Sequence, residues 1–158
     1  HVATAREGNL PYPQRAIRTH DYLYIRNYAP DRWPMGDPRG LADDGATTAS
    51  EHDLTWNTHA TFSDLDAGPT KAFMVLHRDD EGVRPLFDLG FGRRPAEELY
   101  DVRSDPDHMH NLADDAVYAD VKAVLTGRLE GVLLAQRDPR VVEDPCRYEG
   151  HPYTGEPD

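Results

Sequence analysis

Three acidic pairs, Asp43-Asp44, Asp79-Asp80 and Asp114-Asp115, are the first residues to test for chemistry. Paired carboxylates bind hard cations, but such ions need six or more oxygens converging from fixed positions. No EF-hand spacing surrounds these pairs, so they read as solvated loop acids and a helix cap. His108 and His110 straddle Met109. Two histidines can begin a zinc site, yet a third fixed ligand is needed. None is spaced with them, so they read as turn surface. Cys146 is the one cysteine, which excludes an internal disulfide and a cysteine zinc cluster. Ser50, Ser63 and Ser104 lack the context of a nucleophile elbow. No glycine-rich phosphate loop follows a strand. Arg15, Arg18 and Arg26 can reach an anionic sugar by a bidentate fork. The preferred reading pairs them instead with acids such as Glu98 or Asp101 on a neighbouring strand.

The elements that position these residues follow from periodicity. Glu98, Tyr100 and Val102 alternate with Leu99 and Asp101, which predicts a short strand over 97–102. Pro106 stops it, and Asp105 closes the next turn on its own backbone. A long helix is predicted over 115–136, capped by Asp114 or Asp115. Val117, Val121, Val124, Leu125, Leu129, Val132 and Leu133 form its apolar stripe. Gly127 and Gly131 each cost about 1 kcal/mol against alanine, tolerable if the helix packs closely on a sheet. Upstream, residues 14–28 read as a hairpin that reverses at His20-Asp21. Tyr22, Tyr24, Arg26 and Tyr28 share one face of it. Two strands alone are marginal, so the third strand and the helix must complete the core. The predicted class is α+β: a small antiparallel sheet packed by one long helix, with long loops.

Between hairpin and third strand, residues 29–63 carry Pro30, Pro34, Gly36, Pro38, Gly40 and Gly45. They are expected to form one long loop, with Trp33 and Trp56 as anchors. A short helix starts at Gly68-Pro69-Thr70, places Phe73, Met74 and His77 on one side, and ends by Gly82. Arg84 to Phe91 reads as a further helical turn. Asp138-Pro139 ends regularity, and residues 142–158 form an extended tail.

At 158 residues the chain suits one domain. Seventeen basic against 29 acidic residues give a net charge of −12. That balance argues against nucleic acid and anionic membrane as partners, because phosphate binding needs a basic footprint. No run of 18 apolar residues exists to span a bilayer. No signal peptide is visible, and a start at His1 is expected of a fragment or processed product.

The run Glu98-Leu99-Tyr100-Asp101, Asp105-Pro106, Asn111-Leu112 resembles the signature E-L-Y-D-L-x-x-D-P-x-E-x-x-N-L near the C-terminus of sulfatases. Val102 stands for the second leucine and His108 for the glutamate. Tyr12-Pro13, Arg15 to Thr19 and Asp21 to Ile25 are similar to the hairpin that opens the sulfatase C-terminal subdomain. The Tyr-Pro-x-Arg piece and Asp138-Pro139 most resemble heparan N-sulfatases (sulfamidases) and their bacterial relatives. The resemblance implies that residues 1–141 are this subdomain, with an alkaline-phosphatase-like α/β catalytic domain missing as its partner. It implies hydrolysis of sulfate esters or N-sulfo groups of sulfated sugars, and with it glycosaminoglycan degradation. It implies calcium and a formylglycine in the intact enzyme, and a periplasmic, secreted or lysosomal setting.

In that family an aldehyde hydrate attacks sulfur while calcium offsets the oxygen charge. Its aldehyde arises from a C/S-x-P-S/A-R motif. Cys146 precedes Arg147-Tyr148-Glu149 and does not match. The chain alone is therefore expected to be inactive, with no catalytic or metal residue of its own. The resemblance places His1 and Arg6 near the active-site mouth as candidate substrate contacts. The competing reading is a non-catalytic binding or assembly module on a sheet-and-helix scaffold.

Overall fold

The computed structural model describes Arg6 and residues 10–41 and 46–149. In chain order it contains β1 (Gln14–Arg18), β2 (Tyr22–Asn27), α1 (Glu51–Trp56), α2 (Pro69–Leu76), α3 (Arg84–Phe91), β3 (Glu97–Asp101), α4 (Ala119–Ala135) and α5 (Pro139–Val142). The fold is α+β, as the alternation and the helical period predict. Two compact units divide it. A sheet unit holds Pro13–Pro30 and Arg94–Gly150, and a helical unit holds His1–Tyr12, Asp31–Arg93 and His151–Asp158.

In the sheet unit the strand order is β1-β2-β3, antiparallel throughout. Thr19 makes the hairpin tight: its hydroxyl accepts from the amides of Asp21 and Tyr22. Ile17, Tyr24 and Leu99 lie opposite one another across the strands and so share a face. Against that face pack Leu125, Leu129 and Leu133 of α4, together with Ala113. Their spacing of four residues lines them along one side of the helix.

The apolar stripe is narrower than the predicted one. Val124 is 61% exposed, Val132 48% and Val117 82%. At 3.6 residues per turn Val124 and Val132 point away from the leucine row, and Val117 precedes the helix altogether. Gly127 and Gly131 do not mediate close packing on the sheet either. A Cβ at either position would meet nothing within 4 Å. The helix also begins later than residue 115. Asp115 caps a 3-10 turn, Ala116–Tyr118, through the Val117 amide, and α4 proper follows.

Asp138-Pro139 begins an element instead of ending regularity. Asp138 accepts from the Arg140 amide and Pro139 takes the first helical position of α5. A second 3-10 turn, Arg147–Glu149, lies within the predicted tail. Arg15 grips the same aspartate with two bonds, Nε to Oδ2 at 2.6 Å and Nη2 to Oδ1 at 3.0 Å. This fork fastens β1 to the start of α5. Asp138→Ala is expected to cost about 2 kcal/mol, one part cap and one part charge-assisted bond. A double-mutant cycle with Arg15→Ala in urea should give a coupling near 1 kcal/mol. Additivity within about 0.3 kcal/mol would show that the pair contributes nothing.

Residues 29–63, which belong to the helical unit from Asp31 onward, are not one continuous loop. Ser50 and Asp53 form a reciprocal capping box that starts α1, and Leu54 is fully buried. Trp33 is an anchor, packed on Phe62 with ring centroids 5.8 Å apart. Trp56 is not one, being 76% exposed. Phe62 sits at the centre, fully buried against Trp33, Phe87 and Phe91.

Two more expectations change here. On α2 the buried side is Lys71, Ala72 and Val75, while Phe73 faces out. The helix stops at Leu76, well before Gly82, and Arg78 lies in the turn that follows. That guanidinium donates to the Val75 carbonyl and to the Thr47 hydroxyl. On α3, Phe87 and Phe91 go in, whereas Leu86 and Leu89 stay exposed.

Candidate functional site

The segment that carries the sequence signature is built around a single side chain at a strand edge. Antiparallel pairing turns the amides and carbonyls of alternate residues toward the partner strand and the rest outward. On β3, residues 97, 99 and 101 face outward. Asn111 takes the place of a fourth strand there. Its Oδ1 accepts from the Leu99 amide at 2.8 Å and from the Ala113 amide at 3.0 Å. Its Nδ2 donates to the Glu97 carbonyl at 3.2 Å. The Leu112 amide then donates to the Leu99 carbonyl, and the Asp105 amide to that of Asp101.

The other signature residues shape the turn between strand and asparagine. Asp101 accepts from the amides of Arg103 and Ser104. Asp105 accepts from the His110 amide. Backbone amides of Met109 and His110 hold the Asp105 carboxyl below its ordinary value. His108 adopts a positive φ of 55° and lays its ring 5.4 Å from that of Tyr100. Its Nε2 is buried without a hydrogen-bond partner.

Two glutamates on β3 face opposite sides and have different tasks. Glu97 lies on the helix side. It accepts from the Tyr24 hydroxyl at 2.6 Å, and Arg26 and Lys122 stand at 3.4 and 3.5 Å. The Tyr24 hydroxyl bond, more than burial can oppose, holds its carboxyl below the ordinary range. Glu98 lies on the other side and is 7% exposed. It accepts from Asn27 Nδ2 and from the Tyr100 hydroxyl, each at 2.6 Å. Burial first, then that bond to Glu98, pushes the Tyr100 phenol well above its usual value. Arg15 therefore pairs with Asp138 and Arg26 with Glu97, not with Glu98 or Asp101 as expected, and Arg18 pairs with no acid among the described residues.

These shifts have a consequence for acid stability. Glu97, Asp105 and Asp138 all titrate below their ordinary values of 4.5, 3.8 and 3.8. For Asp138 burial pushes upward, but the Arg15 bond and the Arg140 amide outweigh it. A depressed folded value means that the unfolded chain binds more protons in the window between. The stabilisation is complete above the unfolded values and is lost as pH falls through the folded ones. Urea midpoints should therefore drop as pH falls from about 5 to about 2, and Glu97→Gln should flatten that drop. A midpoint unchanged over this range would contradict the assignment.

Two concavities are lined by described residues. In the sheet unit a cavity of about 200 Å3 is lined by the apolar Leu129 and Val141 and by Arg26, Tyr28, Glu130 and Arg140. In the helical unit a groove of about 540 Å3 is lined by Leu65, Met74, Leu86 and Phe91. Lys71 borders it, but its ammonium donates to the carbonyls of Thr58, Phe62 and Leu65. Burial lowers its pKa. It is a tie for three loop carbonyls.

Arg6 is placed, and His1 lies outside the described residues. Arg6 is 3% exposed and donates to the carbonyls of Trp33 and Pro34, both at 2.6 Å, and to Asp64 at 2.9 Å. Asp43 and Asp44 also lie outside the described residues. Asp79 and Asp80 form surface pairs with Arg84 and His77. Among the described residues no three of His, Cys, Asp and Glu converge to hold a metal ion. No helix of the described residues is long and apolar enough to cross a membrane. Sequence reasoning missed the role of Asn111, whose only signal was its fixed place after the turn.

No family model matches this chain. A stretch of 44 residues is 46% identical to an uncharacterized sulfatase, YidJ, of Escherichia coli (strain K12). It covers 28% of this chain and 9% of that protein. The likeness is local, and it supports a relationship to sulfatases at that level.

Proposed function

We propose that this chain is the C-terminal part of a sulfatase that hydrolyses sulfate esters or N-sulfo groups of sulfated sugars. In this reading it completes the fold and the rim of the substrate pocket, and its partner is an N-terminal α/β catalytic domain. The observation that carries the proposal is the signature segment itself. Its residues are a connected set of edge and turn bonds, and the chain has 46% local identity to a sulfatase.

The residues here do not fit the family's reactive groups. Cys146 is buried and sits before Arg147, whose guanidinium bonds Glu143. It lacks the motif that formylglycine formation requires. Neither the aldehyde nor calcium is assigned a residue of this chain. The substrate contacts expected of His1 and Arg6 belong to the same proposal. Arg6 would reach a sulfate only by releasing Asp64 or a loop carbonyl.

The finer reading is the sulfamidase branch. Its two marks, Arg15 after Tyr12-Pro13 and Asp138-Pro139, are joined by the bidentate fork, which makes them one structural unit. The test is an assay of the full-length gene product on N-sulfated and O-sulfated glucosamine. Sulfate release from the N-sulfated sugar is expected, with none from the 158-residue chain alone. Release from O-sulfated sugar only would remove the branch. Release from neither, with no C/S-x-P-S/A-R motif upstream, would remove the whole reading.

A further inference from the structure

The two outer edges of the sheet are treated differently. On β3 the outward carbonyls of Glu97, Leu99 and Asp101 and the Leu99 amide all have partners. On β1 the hydrogen-bonded pairs with β2 are fixed by Thr19 donating to Tyr22 and by Tyr28 donating to Pro13. Residues 13, 15, 17 and 19 therefore face β2, and Gln14, Ala16 and Arg18 turn their backbone outward. The Gln14 carbonyl takes one bond from the Arg15 guanidinium. Among the described residues the amides of Gln14, Ala16 and Arg18 and the carbonyls of Ala16 and Arg18 have no partner. All three residues are exposed. Neither proline nor bulge interrupts β1, and an open edge of this kind is a template for another strand.

We propose that the outer edge of β1 is a strand-addition site for an extended acidic segment of another polypeptide. This goes beyond the sulfatase reading and does not rest on it. Main-chain bonds would supply affinity and alternating side chains selectivity. The strand Gln14-Arg15-Ala16-Ile17-Arg18 carries two arginines and no acid. Arg15 is occupied by Asp138, while Arg18 is exposed and has no ion pair among the described residues. An acidic residue beside Arg18 and an apolar one beside half-buried Ile17 match the two faces. Screening within about 8 Å at physiological salt lets this local charge outweigh the net charge of the chain. A second copy fits poorly, since it would bring four arginines to one two-strand ladder.

The test uses the full 158-residue chain and a capped hexapeptide of alternating valine and glutamate. Amide exchange is followed by NMR. At ten times Kd, exchange at Gln14, Ala16 and Arg18 should slow by about ten-fold, while Arg15 and Ile17, already paired, change little. Arg18→Glu should weaken binding about three-fold. Ala16→Pro should abolish it without loosening β2, because that amide points outward. Unchanged exchange at saturating peptide would overturn the proposal. So would equal binding of the lysine-for-glutamate peptide, or protection that rises with protein concentration in the absence of peptide.

Discussion

Replacing Phe62 by alanine is expected to destabilise the helical unit by roughly 3–5 kcal/mol. Phe62 is fully buried, and three aromatic rings lie within 6.0 Å of its own, measured between centroids. Truncation would leave a void where none of them finds a new neighbour. The backbone raises the stake. Phe62 holds a φ of 43°, a strained position for a bulky residue. Its amide donates to the Asp37 carbonyl, and its carbonyl accepts from Lys71. Loss of the ring removes the burial that balances this strain. The measurement is amide exchange across α1 to α3, with Trp33 fluorescence as a second probe. Phe62→Leu should lose clearly less. A loss below about 1 kcal/mol for alanine would mean that Phe62 is not the keystone of this cluster.

Asn111→Ala is the second large effect, expected at about 2–4 kcal/mol in the sheet unit. The two amides that Asn111 satisfies, at Leu99 and Ala113, belong to residues 0% and 4% exposed. Without Oδ1 neither has an acceptor, and orphaned buried donors cost more than a bond contributes. Asn111→Asp keeps the acceptor but turns a carboxylate oxygen toward the Glu97 carbonyl in place of the Nδ2 donor, so it should cost about 1–2 kcal/mol, less than alanine. Faster exchange at Leu99 in the alanine variant is the specific sign. Equal costs for alanine and aspartate would show that the acceptor is unimportant.

How far the fold was legible depended on the kind of signal. Period-two alternation separated Leu99 from Glu98 and Tyr100 and grouped Tyr22 with Tyr24, because a strand has only two faces to choose from, but it did not say that Tyr24 and Leu99 share the face that meets the helix. Leu125, Leu129 and Leu133 were inside the predicted stripe, but so were Val124 and Val132. A helix offers a continuum of directions, and apolar type does not say which arc meets the sheet. Residues 29–63 looked irregular because glycine and proline punctuate them, and Ser50, taken with Thr47 and Thr48 as a polar run, proves to open a capping box with Asp53. The arginine partners were misassigned for a different reason. Arg15 meets Asp138 across 123 positions, and no local pattern reports such a distance. Of the candidate site, the aspartates of the signature announced their turn, whereas Asn111 acts through backbone atoms whose outward direction only the strand register reveals.

One closing residue on β3 has a further effect on how these molecules can assemble. A sheet open on both rims can recruit neighbours without limit and grow into a filament. With Asn111 and Leu112 sealing one rim, growth through the described strands has a single starting point. Any strand that joins β1 in rim-to-rim contact between copies exhausts both molecules at once. Such association would end at a pair, because each copy offers one open rim among the described strands.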